Sequence, residues 1–416
     1  MNSSLTNLFR RTTSTGTYYP EIDGLRFIAI ALVVLYHLSD RAIRSFKLQG
    51  GQDEWANSVR DLFAMGDVGV HLFFAISGYI ISKPFLDRYA LQSTQTFSLK
   101  QYFLRRLTRL EPPYLLVMTG IFLFLSVSGY QTSIAKSYYE TSIPLWQSYL
   151  ASLPYLHGII FDTGSRLNPP AWSLELEVRF YILAPVLMIA YFSLRRYELA
   201  RSLLLVGVIG CVLSQAFMFG GHFKSNNFSL FSYIQYFVIG ILLCDLHMRR
   251  PHEMPSRSFS ISIDIMSLAA LIIFARSHQW LGYYPVRELV KLLCVIAIFY
   301  GAFHGHYFAM MLRNRFISLT GGMCYSIYLI HMPMMQVLVE RFAHFLPAQN
   351  FALFLLIQAA VILPIILVTS AAFFLLVEKP CMQKDWPQKL SENAKIGITA
   401  LRNRLTKNVS NPKTFD

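Results

Sequence analysis

An apolar stretch near the start of the chain carries side chains that are expensive to bury in lipid and useful in catalysis. It reads DGLRFIAIALVVLYHLS from Asp23 to Ser39, and Arg26 and His37 lie eleven residues apart within it. Eleven residues make about three turns of α-helix, so both side chains point to one face, roughly 16 Å apart along the axis. Burying them in a membrane is unfavourable unless that face lines a polar cavity. The spacing therefore predicts one wall of a reaction chamber.

A second apolar stretch opens with NPPAWSLELEVRFYILAP and contains three ionisable side chains. Glu175 and Arg179 are four residues apart, which allows an ion pair on one face of a helix. Glu177 lies on a different face, and a carboxylate inside a membrane is a functional candidate. The sequence therefore singles out Glu177.

A third stretch, GGMCYSIYLIHMPMM, places Tyr328 and His331 in an apolar segment. A lone histidine in such a segment is more often a packing residue than a functional one. Counted along their helices, however, His37, His331 and Glu177 all fall about 8 Å below the outer boundary of a hydrocarbon core roughly 30 Å thick. They form one acid–base cluster if their helices are neighbours, which the sequence alone does not decide.

A basic face precedes the third apolar segment in the sequence SLKQYFLRRLTRLEPPY. On a helix, Arg105 and Arg106 lie four and three residues before Arg109, so the three guanidinium groups share one side. Such a face suits a phosphorylated ligand, because guanidinium binds phosphate oxygens in bidentate fashion. The alternative is ordinary anchoring of the membrane domain by positive charge on the cytoplasmic side.

The rest of the chain indicates how these groups are held. Of its 416 residues, 54% are hydrophobic, only 14% are charged, and the mean hydropathy is +0.42. This composition excludes an ordinary soluble domain and predicts an all-α polytopic membrane protein. The net charge of +14 is typical of basic cytoplasmic loops, so we expect no nucleic-acid partner. The five cysteines show neither disulfide nor metal-ligand spacing, and we expect no metal.

About ten apolar segments are long enough to cross a membrane. They cover residues 22–42, 66–86, 110–129, 172–193, 202–220, 229–247, 259–276, 287–306, 317–341 and 351–377. The second contains three glycines and is the one that could be broken. Lys and Arg concentrate in alternate connections, which predicts cytoplasmic termini and a multi-pass protein of the inner (plasma) membrane. The predicted parts are a cytoplasmic N-terminal segment (1–20), a membrane domain (21–380) and a basic cytoplasmic tail (381–416).

Taken in order, these motifs resemble the acyltransferase-3 family of integral membrane O-acyltransferases. Arg26 and His37 meet the family's Arg-x10-His signature, and Arg106 and Arg109 meet its Arg-x-x-Arg signature. The Trp-Ser-Leu-x-x-Glu…Phe-Tyr block begins at Trp172. Further blocks match at residues 69–79, 325–331 and 378–380. Each short match is weak, but their common order over most of residues 20–380 is specific.

The resemblance implies transfer of an acyl group, most often acetyl, from cytoplasmic acyl-CoA to a hydroxyl of a cell-envelope glycan or another glycosylated or lipid-linked acceptor. The donor-binding candidates are Arg26, Arg105, Arg106 and Arg109. The catalytic candidates are His37, as general base or acylated nucleophile, with Glu177 and Arg26. The acceptor-binding candidates are Trp172, Ser173, Tyr328 and His331.

Two features depart from the family pattern. This chain has His71 where the family commonly has an aspartate, so no role of that aspartate is carried over to this position. Family members can carry a fused C-terminal esterase-like domain. We expect none in this chain, so that transfer finishes in the membrane domain or passes to a separate periplasmic protein. Whether the protein forms a homo-oligomer is left open.

Two other functions compete with acyl transfer. Intramembrane Arg, His and Glu also suit a proton-coupled or acyl-group transporter. Transporters often show inverted repeats and paired broken helices, and neither is visible in the sequence. A binding or scaffold subunit of an envelope polysaccharide assembly would leave the buried charges unexplained.

Overall fold

The structure is a computed structural model that describes residues 8–11, 18–89, 98–129, 142–194, 197–219, 228–249, 256–346 and 349–383. Within these residues all regular structure is helical. The helices are α1 (Pro20–Leu48), α2 (Ala56–Leu62), α3 (Gly66–Tyr89), α4 (Leu99–Ser128), α5 (Leu145–Ser152), α6 (His157–Phe161), α7 (Ala171–Ser193), α8 (Glu198–Phe219), α9 (Ile234–Arg249), α10 (Arg257–Trp280), α11 (Tyr284–His304), α12 (Tyr307–Arg313), α13 (Arg315–Gly322), α14 (Cys324–Ala343), α15 (Phe351–Phe373) and α16 (Lys379–Cys381). One π-helical turn, Phe374–Glu378, joins the last two.

Every predicted apolar segment overlaps one of these helices. By length and apolarity, six of the described helices could cross a membrane, and the bent pair α13–α14 adds a seventh if it counts as one span. The prediction of an all-α polytopic membrane protein is thereby confirmed. The number of about ten spans and the side on which the termini lie stay predictions. Most of the predicted basic tail, from residue 384 onward, lies outside the described residues.

The break lies in the ninth predicted span and not in the second. Helix α3 is continuous from Gly66 to Tyr89, whereas α13 and α14 meet at an angle of 71°. The helices are closely packed at this break. A Cβ atom on Gly321 would lie only 1.7 Å from the backbone oxygen of Asp23. The bend brings the start of α14 beside the start of α1.

Helix α1 is the central element of the fold. It packs against α3 on one side and against α13 and α14 on another. Ile22, Leu25 and Ala29 join a core with α3, α7 and α9, whereas Ile30 and Val34 join a second core with α14 and α15. A helix that is buried on several faces has few positions left for polar groups, so those it carries must face one another or a cavity.

A tight crossing fixes the position of α3 against α9. A Cβ atom on Gly78 would lie 2.0 Å from the backbone oxygen of Phe237, and one on Gly240 would lie 2.0 Å from that of Ala75. Small residues at such crossings let two helix backbones approach closely. The crossing lies beside Ser77, whose side chain belongs to the site described below.

Candidate active site

A cavity of about 630 Å³ opens between α1, α3, α4, α7 and α14. Its lining divides into a basic group and a group of hydroxyl and carboxylate side chains. The basic group is Arg11, Arg26, Lys83, Arg105, Arg106 and Arg109. The second group includes Ser77, Tyr102, Ser173, Glu177, Tyr181, Tyr325 and Tyr328. The remaining lining is largely apolar, so the cavity combines an anion-attracting part with a hydrogen-bonding part.

Asp23 holds two of the basic side chains together. Its carboxylate accepts a hydrogen bond from Arg26 at 2.8 Å and one from Arg11 at 3.0 Å. The side chain of Asp23 is 1% exposed and those of both arginines are 11% exposed. One carboxylate therefore neutralises only one of two buried cations, and the group keeps a positive charge next to the cavity.

The basic face of α4 is turned into the same cavity. The guanidinium carbon of Arg106 lies 3.8 Å from the ring centre of Tyr102 and 5.3 Å from that of Tyr181. Arg109 approaches the buried Glu378 carboxylate at 3.9 Å, which is an ion pair without a hydrogen bond. Anchoring to lipid headgroups alone does not require guanidinium groups to line an internal space, so the geometry favours a ligand-binding role for this face.

Glu378 is itself fixed by the start of α14. Its carboxylate accepts hydrogen bonds from the backbone N–H and the hydroxyl group of Ser326. The π-helical turn that ends at Glu378 thus closes against α14 and sets a negative charge behind Arg109. π-Helical turns occur frequently at functional sites.

Glu177 lies inside the cavity and is held by two hydroxyl groups. Ser77 of α3 donates to its carboxylate at 2.5 Å, and Tyr181, one turn along α7, donates to the same oxygen. Glu175 instead pairs with Arg179 at 3.1 Å, as the four-residue spacing predicted. The two glutamates therefore have separate environments, and the carboxylate that faces the cavity is that of Glu177.

His37 and His331 form a pair just beyond the cavity. Their ring centres are 5.4 Å apart, and that of His331 is 6.2 Å from the ring of Tyr328, which does line the cavity. Nδ1 of His331 lies within hydrogen-bond distance of the carbonyl groups of Ile327 and Tyr328, so that nitrogen carries the proton. Nε2 of His331 and Nδ1 of His37 are buried and find no hydrogen-bond partner among the described residues.

A proline explains how this part of α14 is positioned. Pro333 has no N–H, so the carbonyl of Leu329 four residues earlier has no donor within the helix. The buried side chain of Asn168 donates to that carbonyl at 3.3 Å. The loop before α7 is thereby attached to the turn of α14 that carries His331.

The predicted site residues fall into three places. Arg26, Arg105, Arg106, Arg109, Glu177, Ser173 and Tyr328 line the cavity. Ser173 and Tyr328 lie within 3.1 Å of each other, and Tyr328 also donates to the carbonyl of Pro170. His331 lies one helical turn beyond Tyr328, and His37 of α1 lies beside His331. Trp172 is outside the lining and packs against Phe228 and Tyr233.

The common depth of His37, His331 and Glu177 in the membrane stays a prediction, but their contacts are defined. The two histidines are neighbours, whereas the hydrogen bonds of Glu177 go to Ser77 and Tyr181. Sequence reasoning missed Arg11, Ser77 and Asn168 as members of the site. Ser77 lies in the family block at residues 69–79, but its position in the sequence gives no indication of a hydrogen-bond partner 100 residues away.

His71 belongs to a different polar cluster. Its ring is buried and stacks on Tyr236 at 4.2 Å. Nearby, Lys291 pairs with Asp67 at 3.2 Å and with Glu288 at 3.3 Å. His71 thus stands in a packed ionic network and does not line the cavity.

Among the described residues, no group of three or more His, Cys, Asp or Glu side chains could hold a metal ion.

Comparison with known proteins gives a consistent result. The sequence profile of the family described as "Acyltransferase domain" matches residues 19–375. O-acetyltransferase OatA of Staphylococcus aureus strain NCTC 8325 / PS 47 is 24% identical over 341 residues, which is 76% of this chain and 50% of that protein. OatA of strain MRSA252 gives the same values. The chain thus spans about half the length of the curated relatives it matches. No solved structure gives a significant match.

The profile match covers most of the chain and includes the cavity-lining parts of α1, α3, α4, α7 and α14. It begins after Arg11 and ends before Glu378, so two charged residues of the site lie beyond its limits. On this evidence the chain is an integral membrane protein that belongs to the acyltransferase family its motifs resemble.

Proposed function

We propose that this protein transfers an acyl group, acetyl above all, from cytoplasmic acyl-CoA to a hydroxyl group of a cell-envelope glycan at the inner membrane. The observation that carries this proposal is one cavity with six basic side chains in its lining and a histidine pair beside it, in which His331 lies one helical turn beyond Tyr328. The relatives are named O-acetyltransferases, which supports acetyl as the transferred group and a hydroxyl oxygen as its acceptor.

The basic lining suits the donor. Coenzyme A carries its phosphates at one end and its thioester at the end of a narrow, flexible arm. Arg106 and Arg109 bind phosphate oxygens by charge-assisted hydrogen bonds, and Arg26 draws the donor inward. The arm then extends along the apolar lining and brings the thioester toward Tyr328 and the histidine pair.

The reaction moves one proton from the acceptor hydroxyl group to the thiolate of coenzyme A. His37 takes the proton of the acceptor hydroxyl as its oxygen attacks the thioester carbonyl. The C–S bond then breaks, and the proton passes from His37 to the departing thiolate, which gives the ester and free coenzyme A. In the second route, an unprotonated imidazole nitrogen of His37 attacks the thioester carbonyl, and the C–S bond breaks to release the thiolate. The acyl group then passes from that nitrogen to the acceptor oxygen, and the proton of the acceptor hydroxyl goes to the thiolate.

His331 positions His37 in either route. Its Nδ1 proton is committed to backbone carbonyls, so its Nε2 can only accept a hydrogen bond. A hydrogen bond to this nitrogen, either from an N–H of His37 or through a hydroxyl group between the two rings, would fix the orientation of the His37 ring. Glu177, held by Ser77 and Tyr181, and the hydroxyl groups of Ser173 and Tyr328 bind the polar groups of the substrates.

The first experiment follows the ester product directly. Purified protein in detergent receives labelled acetyl-CoA and envelope oligosaccharides, and mass spectrometry detects the added acyl mass. His37→Ala should lower turnover by about 100-fold or more, as loss of a general base does. His304→Ala is the matched control, because His304 stacks on Tyr300 and does not line the cavity. Wild-type turnover in His37→Ala, or no ester product from the wild-type protein, would refute the proposal.

The second experiment concerns the donor. Arg106→Ala and Arg109→Ala should each raise the KM for acetyl-CoA about tenfold or more, since each removes a charge-assisted hydrogen bond. Lys100→Ala provides the control, because Lys100 lies exposed at the start of the same helix. Equal KM values in all three variants would contradict donor binding by this face.

A further inference from the structure

A short segment ahead of the acyltransferase domain reaches the cavity. The family match begins at residue 19, yet Arg11 is among the cavity-lining residues. The carbonyl of Leu8 accepts a hydrogen bond from Lys379 at 2.5 Å, and Arg11 pairs with Asp23 at 3.0 Å. Residues 8–11 are therefore attached at both ends to the membrane domain.

We propose that residues 8–11 complete the donor site and that Arg11 binds a phosphate group of coenzyme A. This inference rests on the proposed function, since it concerns the donor of the same reaction. It adds a residue that lies outside the matched domain and outside the family motifs found in the sequence.

The charge of the cavity supports this assignment. Six basic side chains line it, and four carboxylates neutralise them: Glu177 in the lining, and Asp23, Asp87 and Glu378 in ion pairs with lining residues. Two positive charges are left over in the described lining. An anionic ligand with more than one phosphate would compensate that surplus.

The state of Arg11 also suits a ligand contact. Its side chain is 11% exposed and shares Asp23 with Arg26, so its charge is incompletely neutralised. Burial and the nearby charge of Arg26 lower the pKa of Arg11 to about 10, which still leaves it protonated at neutral pH. A phosphate oxygen would supply the acceptors that Asp23 alone cannot provide for two guanidinium groups.

The adjacent arginine provides a matched control. Arg10 is exposed, and its guanidinium carbon lies over the ring of Tyr18 at 4.2 Å, away from the cavity lining. The two residues have the same charge and neighbouring positions, so a general effect of positive charge near the membrane would be the same for both.

The test compares two donors in the full-length protein, acetyl-CoA and acetyl-pantetheine, which lacks the nucleotide phosphates. Arg11→Ala should lower kcat/KM for acetyl-CoA about tenfold or more and leave kcat/KM for acetyl-pantetheine unchanged. Arg11→Lys should retain part of the activity, because it keeps the charge but not the fork of donors. Arg10→Ala should leave both donors unchanged.

Each outcome has one meaning. A preference for acetyl-CoA that falls in Arg11→Ala but not in Arg10→Ala supports the inference. Equal losses of kcat/KM for both donors in Arg11→Ala would indicate that Arg11 only maintains the fold, and they would overturn the inference. Unchanged kcat/KM for both donors would also overturn it. In all these cases wild-type turnover of acetyl-CoA still supports the proposed function. Absence of acetyl transfer in the wild-type protein would overturn both.

Discussion

Removing the hydroxyl group of Ser77 tests whether the carboxylate in the cavity is held in place for function. Ser77 donates to Glu177 at 2.5 Å and comes from a different helix, so Ser77→Ala deletes the tie between α3 and α7 at that point. A hydrogen bond to a charged group contributes about 1.5–3 kcal/mol. If that contribution acts in the transition state, kcat/KM should fall roughly 10- to 150-fold.

The assay is a double-mutant cycle on acyl transfer. Ser77→Ala, Glu177→Ala and the double variant are compared in detergent with labelled acetyl-CoA and glycan. Because the hydroxyl group acts through Glu177, Ser77→Ala should have little further effect once Glu177 is alanine. Ser82→Ala is the control, since Ser82 is buried on the same helix and donates to the carbonyl of Tyr79.

Two results would refute this reasoning. One is an equal effect of Ser77→Ala and Ser82→Ala, which would indicate a general disturbance of α3. The other is strict additivity with Glu177→Ala, which would show that Ser77 does not act through the carboxylate. Melting temperatures of all variants separate loss of fold from loss of function.

Three further predictions follow from packing and charge. Gly78→Ala places a methyl group against a carbonyl oxygen of α9 and should destabilise the protein by about 1–3 kcal/mol. Gly120→Ala should not, because a methyl group there would meet no atom of the described residues within 4 Å. Thermal unfolding in detergent distinguishes the two variants. Burial lowers the pKa of His157, so the folded protein favours the neutral imidazole. The free energy of unfolding should therefore decrease as the pH falls through about 6.5. In melting scans at several pH values, His157→Asn should show a smaller decrease than the wild-type protein. Glu378→Gln keeps a hydrogen-bond acceptor for Ser326 but removes the negative charge near Arg109. The KM for acetyl-CoA should therefore fall. A rise in KM would show that the charge positions Arg109 instead.

The apolar periodicity and the basic connections of the chain were sufficient to predict its class. Long apolar segments with few charges can bury their backbone polar groups in lipid only as helices. The same property made the few ionisable groups conspicuous, among them Arg26, Arg106, Arg109 and Glu177, and the structure places these four in the lining of one cavity. The ion pair between Glu175 and Arg179 also followed from local spacing alone.

Contacts between distant segments required the tertiary structure. Hydrophobic patterning does not record which helix faces which, so it could not pair His37 with His331 or Ser77 with Glu177. The break before α14 lies next to the close approach of Gly321 to the backbone of α1, and hydrophobic periodicity contains no information on such a contact.

The charged segment ahead of α1 shows the same limit most clearly. Arg11 reads in the sequence as one more basic residue on the cytoplasmic side, and its neighbour Arg10 reads identically. Only the fold turns one toward Asp23 and the cavity and the other toward Tyr18. Residue types and spacing thus determined that this chain would bury polar groups within apolar helices. The packing of those helices decided which of these groups share a cavity, because side-chain contacts across a bundle depend on three-dimensional proximity and not on separation along the chain.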